Sequence, residues 1–149
     1  MATILIADDT SANREPMARL LRLEGYTVMC AQDGTAAVEL LKSHPDVDVV
    51  LLDLMMPRMD GRSFLRWLRN EPKYSHLPVI VISGTPTSEA AQQVRRLGIN
   101  GMLRKAEFSF RELLERIAGC LPHATAATIA AACLAAQQFH HLLGQQLYL

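Results

Sequence analysis

Short apolar runs alternate with amphipathic stretches along most of this chain. Thr3–Ala7 (TILIA) is apolar and partly β-branched, which predicts a buried strand. In Ser11–Glu24, Met17, Leu20, Leu21 and Leu23 recur at helical spacing, Arg14, Arg19 and Arg22 fall elsewhere, and Gly25 supplies a stop. Pro16 lies inside that stretch, so the helix is expected to start late or to bend. Tyr26–Ala31 predicts a second strand. Gly34–Lys42 predicts a second helix, with Ala37, Val38, Leu40 and Leu41 apolar. Val47–Leu52 predicts a third strand, Pro57–Gly61 a turn, and Arg62–Asn70 a helix burying Phe64, Leu65 and Leu68. Val79–Ser83 predicts a fourth strand. Thr87–Leu97 predicts a helix with Thr87 or Ser88 as N-cap and Gly98 as stop. Gly101–Arg104 predicts a short fifth strand, and Ser109–Cys120 a fifth helix opening on the capping box Ser109-x-x-Glu112.

Five strands alternating with five helices predict an α/β fold. Near-continuous apolar strands imply a parallel sheet covered on both faces. Ligands of such sheets bind outside the carboxyl ends of the strands. Four of these strands end in polar residues of one chemical set: Asp8-Asp9, Asp53, Ser83 and Lys105. Each alone has a plain reading as a turn, cap or solvated residue. Their joint occurrence at four strand ends points instead to a site that holds a divalent cation and a phosphoryl group together. Crowded carboxylates call for a shared cation, and hard oxygen ligands suit Mg2+. Phosphoryl transfer needs mostly positioning and charge stabilisation, which a metal and a lysine supply.

Composition narrows the field further. A length of 149 residues fits one domain with a sizeable core. With 15 basic and 15 acidic residues the net charge is zero, so no global bias points to nucleic acid or to a cationic partner. Cys30, Cys120 and Cys133 form no metal-binding spacing and read as small hydrophobes in a reducing cytoplasm. The start MATILIADD lacks the basic and apolar pattern of a signal peptide. His44, His76, His123, His140 and His141 show no metal-ligand spacing. Every charged residue lies at or before Arg116, which places a boundary near Leu121-Pro122. Residues 122–149 read as an Ala-rich, uncharged helical tail, too short in its apolar part to span a bilayer. A weak heptad-like stripe (Ile129, Cys133, Ala136, His140, Leu143, Leu147) suits docking or a homodimer.

Several stretches resemble the receiver domains of bacterial two-component response regulators: ILIADD at 4–9, DG at 33–34, VVLLDLMMPRMDG at 49–61, PVIVISG at 78–84 and GINGMLRK at 98–105. The resemblance covers about residues 3–120. It implies a flavodoxin-like, CheY-like doubly wound sheet of five parallel strands in order 2-1-3-4-5. It implies that Asp53 is the phosphoacceptor, with Mg2+ held directly by Asp9, largely through water by Asp8, and by Asp53 and the Met55 backbone carbonyl. Ser83 is then the switch hydroxyl and Lys105 the contact to a phosphoryl oxygen. The implied donor is a phosphohistidine on a histidine kinase or histidine phosphotransfer protein, and the output a protein contact in the cytoplasm, with no direct nucleic acid or membrane partner. Such a protein is a regulatory phosphoacceptor that assists its own phosphorylation and dephosphorylation. Alternatives are a receiver module of a hybrid kinase or larger regulator, a phosphoester hydrolase and a scaffold that is never phosphorylated.

Three positions depart from the family pattern. Met102 stands where an aromatic is usual, three residues before the lysine. Ala106 stands where a proline in a cis bond is usual; a non-proline cis bond costs about 3 kcal/mol, so a trans bond is expected. Ser83 replaces the commoner threonine and keeps the hydroxyl. Arg58, Arg62, Arg66 and Arg69 read as a solvated face of the third helix, with a docking patch for an acidic partner as the alternative. Arg95 and Arg96 on the fourth helix carry the same two readings.

Overall fold

Strands β1 (Thr3–Ala7), β3 (Val49–Leu52) and β4 (Val79–Ser83) are buried at every position. They form the middle of a parallel sheet edged by β2 (Thr27–Ala31) and β5 (Gly101–Arg104), in the order 2-1-3-4-5. This computed structural model describes residues 2–84 and 86–121. The expected tail, 122–149, lies outside them. Register is continuous across the centre: Leu5 pairs with Val50, Ala7 with Leu52, and Leu52 with Val81.

Five helices connect and follow the strands: α1 (Ser11–Leu23), α2 (Gly34–Ser43), α3 (Gly61–Asn70), α4 (Ser88–Leu97) and α5 (Phe110–Cys120). Residues through Ala106 make one compact unit holding the sheet and α1 to α4; α5 belongs to a second that begins at Glu107. Within the first unit, Leu5, Ala7, Val50, Leu52, Val79 and Val81 pack with Ala37, Leu41, Phe64, Leu65, Leu68 and Val94 of α2, α3 and α4. The alternating residues Ile6, Leu51 and Ile82 face the other way and meet Met17 of α1. Both faces being covered is why the strands read as unbroken apolar runs rather than as alternation.

Boundaries follow local chemistry. Asp33, Asp60, Thr87 and Ser109 cap α2, α3, α4 and α5 by accepting from a backbone N–H three residues on. Gly25, at φ 98°, ends α1: its N–H donates to the Arg22 carbonyl, and the Tyr26 N–H donates to that of Leu21. That use of Tyr26 delays β2 to Thr27. Asp48 delays β3 to Val49, because its carboxylate takes the Thr3 N–H at 2.8 Å. Helix α1 starts at Ser11 and runs through Pro16, so the expected late start does not occur. The carbonyl that Pro16 leaves without a donor belongs to Ala12, which is exposed, so water can serve it. The peptide after Lys105 is trans.

Candidate functional site

The sheet ladder continues one step beyond the strands. The Asp8 N–H donates to the Ala31 carbonyl at 3.0 Å, the Asp53 N–H to that of Ala7 at 2.9 Å, and the Lys105 N–H to that of Ser83 at 2.9 Å. The backbone thereby fixes the predicted residues side by side along the carboxyl edge of β1, β3, β4 and β5.

Their side chains converge. The Lys105 Nζ lies 3.0 Å from Asp8 Oδ2 and 3.0 Å from Asp53 Oδ2. The other oxygen of Asp8 accepts the Thr10 N–H at 2.9 Å, and that of Asp53 has only a long bond, 3.3 Å, from the Met55 N–H. Asp8 and Asp53 are each 4% exposed and Ser83 2%, whereas Asp9 is exposed. Oxygens of Asp8, Asp9 and Asp53 lie within 4.8 Å of one another. Met55 stands out into solvent at 77% exposure, leaving its backbone as the part that borders the crevice.

One ammonium therefore bridges two buried carboxylates, and a third, that of Asp9, lies within 4.8 Å of both. Burial pushes the Asp53 carboxyl above its ordinary value, and the bond and charge of Lys105 only partly offset this. Burial acts to lower Lys105, yet its hydrogen bonds with Asp53 and Asp8, and their charges, outweigh that and hold the ammonium above its ordinary value. The two directions agree physically: a shared ammonium gains from two partners, while each partner receives half of it. The crevice stays negative, and its free donors are hard oxygens. That donor set fits a small divalent cation such as Mg2+.

Three supports of the site could not be read from the sequence. The Arg14 guanidinium donates to the Asp8 carbonyl, at 2.6 Å. Asp33, 2% exposed, caps α2 and lies 3.5 Å from Arg58, which adopts φ 67° in the loop between β3 and α3. The Gly34 N–H donates to the Met59 carbonyl of the same loop. Partners of this kind are backbone carbonyls or residues distant in sequence, and spacing cannot reveal them; the Asp-Gly cap at 33–34 was the one visible sign. Arg69 is no solvated residue: its guanidinium donates to the carbonyls of Gly98, Leu77, Ser75 and Tyr74, tying α3 to the loops before β4 and β5.

The response regulator receiver domain family matches residues 4–118. Response regulator MprA of Mycolicibacterium vanbaalenii is 39% identical over 124 residues, 82% of this chain and 51% of that protein. The chain thus spans about half the length of the curated relatives it matches. Among solved structures, chemotaxis protein CheY4 of Vibrio cholerae superposes with a TM-score of 0.74 at 29% identity, covering 81% of this chain and 99% of that one. The signal receiver domain of a signal transduction histidine kinase from Syntrophus aciditrophicus gives 0.74 at 26% identity, covering 81% and 90%.

Proposed function

Because the chain belongs to the receiver-domain family of two-component response regulators, a regulatory family, we propose that Asp53 is its phosphoacceptor and that its donor is a phosphohistidine on a histidine kinase or phosphotransfer protein. The observation that carries this reading is the Lys105 ammonium 3.0 Å from both Asp8 and Asp53, inside a crevice with carboxylate to spare. A carboxylate oxygen of Asp53 forms the new P–O bond as the donor's P–N bond breaks, and the bonding electron pair returns to the imidazole ring, which takes up a proton. Oδ1, with only its 3.3 Å bond from the Met55 N–H, is the freer oxygen for that attack. Lys105 then moves from carboxylate to phosphoryl oxygen, and the Ser83 hydroxyl donates to a second one.

Asp9, Asp53 and the Met55 carbonyl would hold Mg2+ directly, with Asp8 acting largely through water because both its oxygens are engaged. When bound, Mg2+ supplies positive charge that draws the phosphoryl oxygens in and offsets the excess of carboxylate. The same groups serve the return of the phosphoryl group to water, so the protein assists its own dephosphorylation. The setting in this reading is the cytoplasm, where the phosphohistidine donor would be met. Among the described residues no helix is long and apolar enough to cross a membrane. The output in this reading is a changed protein contact.

Asp53→Asn tests the assignment. Wild type is expected to take label from acetyl phosphate with Mg2+ and the variant to take none. Label retained by a folded Asp53→Asn protein would place the chemistry elsewhere.

A further inference from the structure

Helix α3 carries Arg62, Arg66 and Arg69 and no acid. Their spacing of four and three puts them on one stripe. Arg69 is spent on backbone carbonyls, and one of them, Gly98, directly follows α4, so the stripe runs along the valley between α3 and α4. Arg62 marks the same course by reaching Gln93 of α4 at 3.3 Å. Arg96, one turn beyond Gln93, continues it on the other wall. Arg66 and Arg96 are exposed and Arg62 half-buried, and none of the three has a carboxylate within ion-pair distance among the described residues. The one acid on α4 is Glu89, in its first turn.

At its upper end the valley opens into a cavity of roughly 250 Å³ lined by Leu54, Met55, Arg62, Ser83, Pro86, Thr87 and Ala90. Its walls are mostly apolar. Arg62 stands at its edge, and Ser83 belongs also to the phosphoryl site. An apolar cavity with Arg62 at its edge, continued by a valley that bears Arg66 and Arg96, fits a ligand that alternates carboxylate and aliphatic groups.

We propose that the valley between α3 and α4 receives an acidic segment of a partner protein, its carboxylates on Arg62, Arg66 and Arg96 and one aliphatic side chain in the cavity beside Ser83. The chain's own last residues, 117–149, carry no charged side chain and cannot complement the arginines. A second copy has zero net charge, so over the whole chain its acids and bases balance. Single-stranded nucleic acid would want an aromatic side chain for base stacking, and among the described residues no aromatic lines the cavity. Contact with Ser83 would make the docked segment sensitive to phosphorylation; that clause rests on the proposed function, and the docking itself does not.

The test uses a fluorescein-labelled peptide of repeating Glu and Leu, titrated into the unphosphorylated full chain. Binding is expected to shift the amide resonances of Leu54, Ala90 and Gln93. The triple variant R62A/R66A/R96A is expected to bind roughly tenfold more weakly, and R19A/K42A/K73A, which removes equal charge elsewhere, within about twofold of wild type. A probe with Ser for Leu is expected to lose roughly tenfold if the cavity is used. No binding up to about 1 mM, equal losses in the two triple variants, undiminished binding of the Ser probe, or tighter binding of a DNA fragment at the same resonances would each overturn the proposal. Asp53→Asn is expected to keep probe binding, so failure of docking and failure of the phosphoryl reading separate.

Discussion

Replacing Gly61 by alanine would place a methyl carbon 2.3 Å from the Asp53 carbonyl oxygen, 2.7 Å from the Leu54 Cα and 3.0 Å from the Asp53 carbonyl carbon. All three are backbone atoms, so no side chain can swing aside. Relief to ordinary contact needs about 1 Å of movement between the end of β3 and the start of α3. The Gly61 N–H also donates to the Leu54 carbonyl at 3.0 Å, and the same movement stretches that bond. Strain and the weakened bond together should cost about 2–4 kcal/mol. The displaced backbone carries the Asp53 carboxylate, whose contact with Lys105 is 3.0 Å long. A misplacement of about 1 Å at a reacting group is worth on the order of 100-fold in rate. Urea unfolding gives the first quantity, and the labelling rate with acetyl phosphate and Mg2+ gives the second. A Gly61→Ala protein within about 0.5 kcal/mol of wild type that also labels at the wild-type rate would show that the close approach of α3 to Asp53 matters to neither. Lost stability with an unchanged rate would mean that α3 yields and Asp53 does not.

Arg69→Ala should cost about 3 kcal/mol in urea unfolding, since it takes the guanidinium from the carbonyls of Gly98, Ser75 and Leu77 (that of Tyr74 keeps the Leu77 N–H), and Arg69→Lys should recover less than half, because an ammonium cannot span them. Lys105 holds its proton more tightly in the folded protein, so its contribution is fully present below its ordinary value of 10.5 and is lost as pH rises through the higher folded value. The stability difference between metal-free wild type and Lys105→Met should therefore be flat from neutral pH up to 10.5 and shrink above it, and it should also shrink in acid, where the partner carboxylates protonate; a difference that instead grew with pH above neutrality would mean that burial, not the two carboxylates, dominates at Lys105. Gly119 is exposed in the last turn of α5, and among the described residues nothing stands where an alanine methyl would lie, so Gly119→Ala should stabilise by about 0.5 kcal/mol in thermal unfolding.

What the chain discloses by itself depends on the range of the interaction. Apolar runs such as Val79–Ser83 are set by burial on two faces, and their limits could be read directly. Caps at Thr87 and Ser109 act within one helical turn and were equally visible. The starts of β2 and β3 were misplaced by one and two residues, because Tyr26 serves the end of α1 and Asp48 serves Thr3. Each competing bond joins backbone to a group that a strand pattern does not weigh. The carboxylates, hydroxyl and lysine were legible because parallel topology brings strand ends together. The supports at Arg14, Asp33 and Arg58 were not, since their partners are fixed only once the loops have closed. Arg69 was misjudged for the same reason: an arginine among arginines looks solvated until the carbonyls it gathers are in place.

Everything proposed for the crevice depends on the phosphoryl group residing on the Asp53 carboxylate. Borohydride reduces an aspartyl phosphate to homoserine and leaves a free aspartate unchanged. The chain would be phosphorylated with acetyl phosphate and Mg2+, reduced, digested and mapped by mass spectrometry. Homoserine is expected at position 53 and nowhere else. Homoserine at position 8 or 9, or none in a protein that carries label, would contradict the assignment.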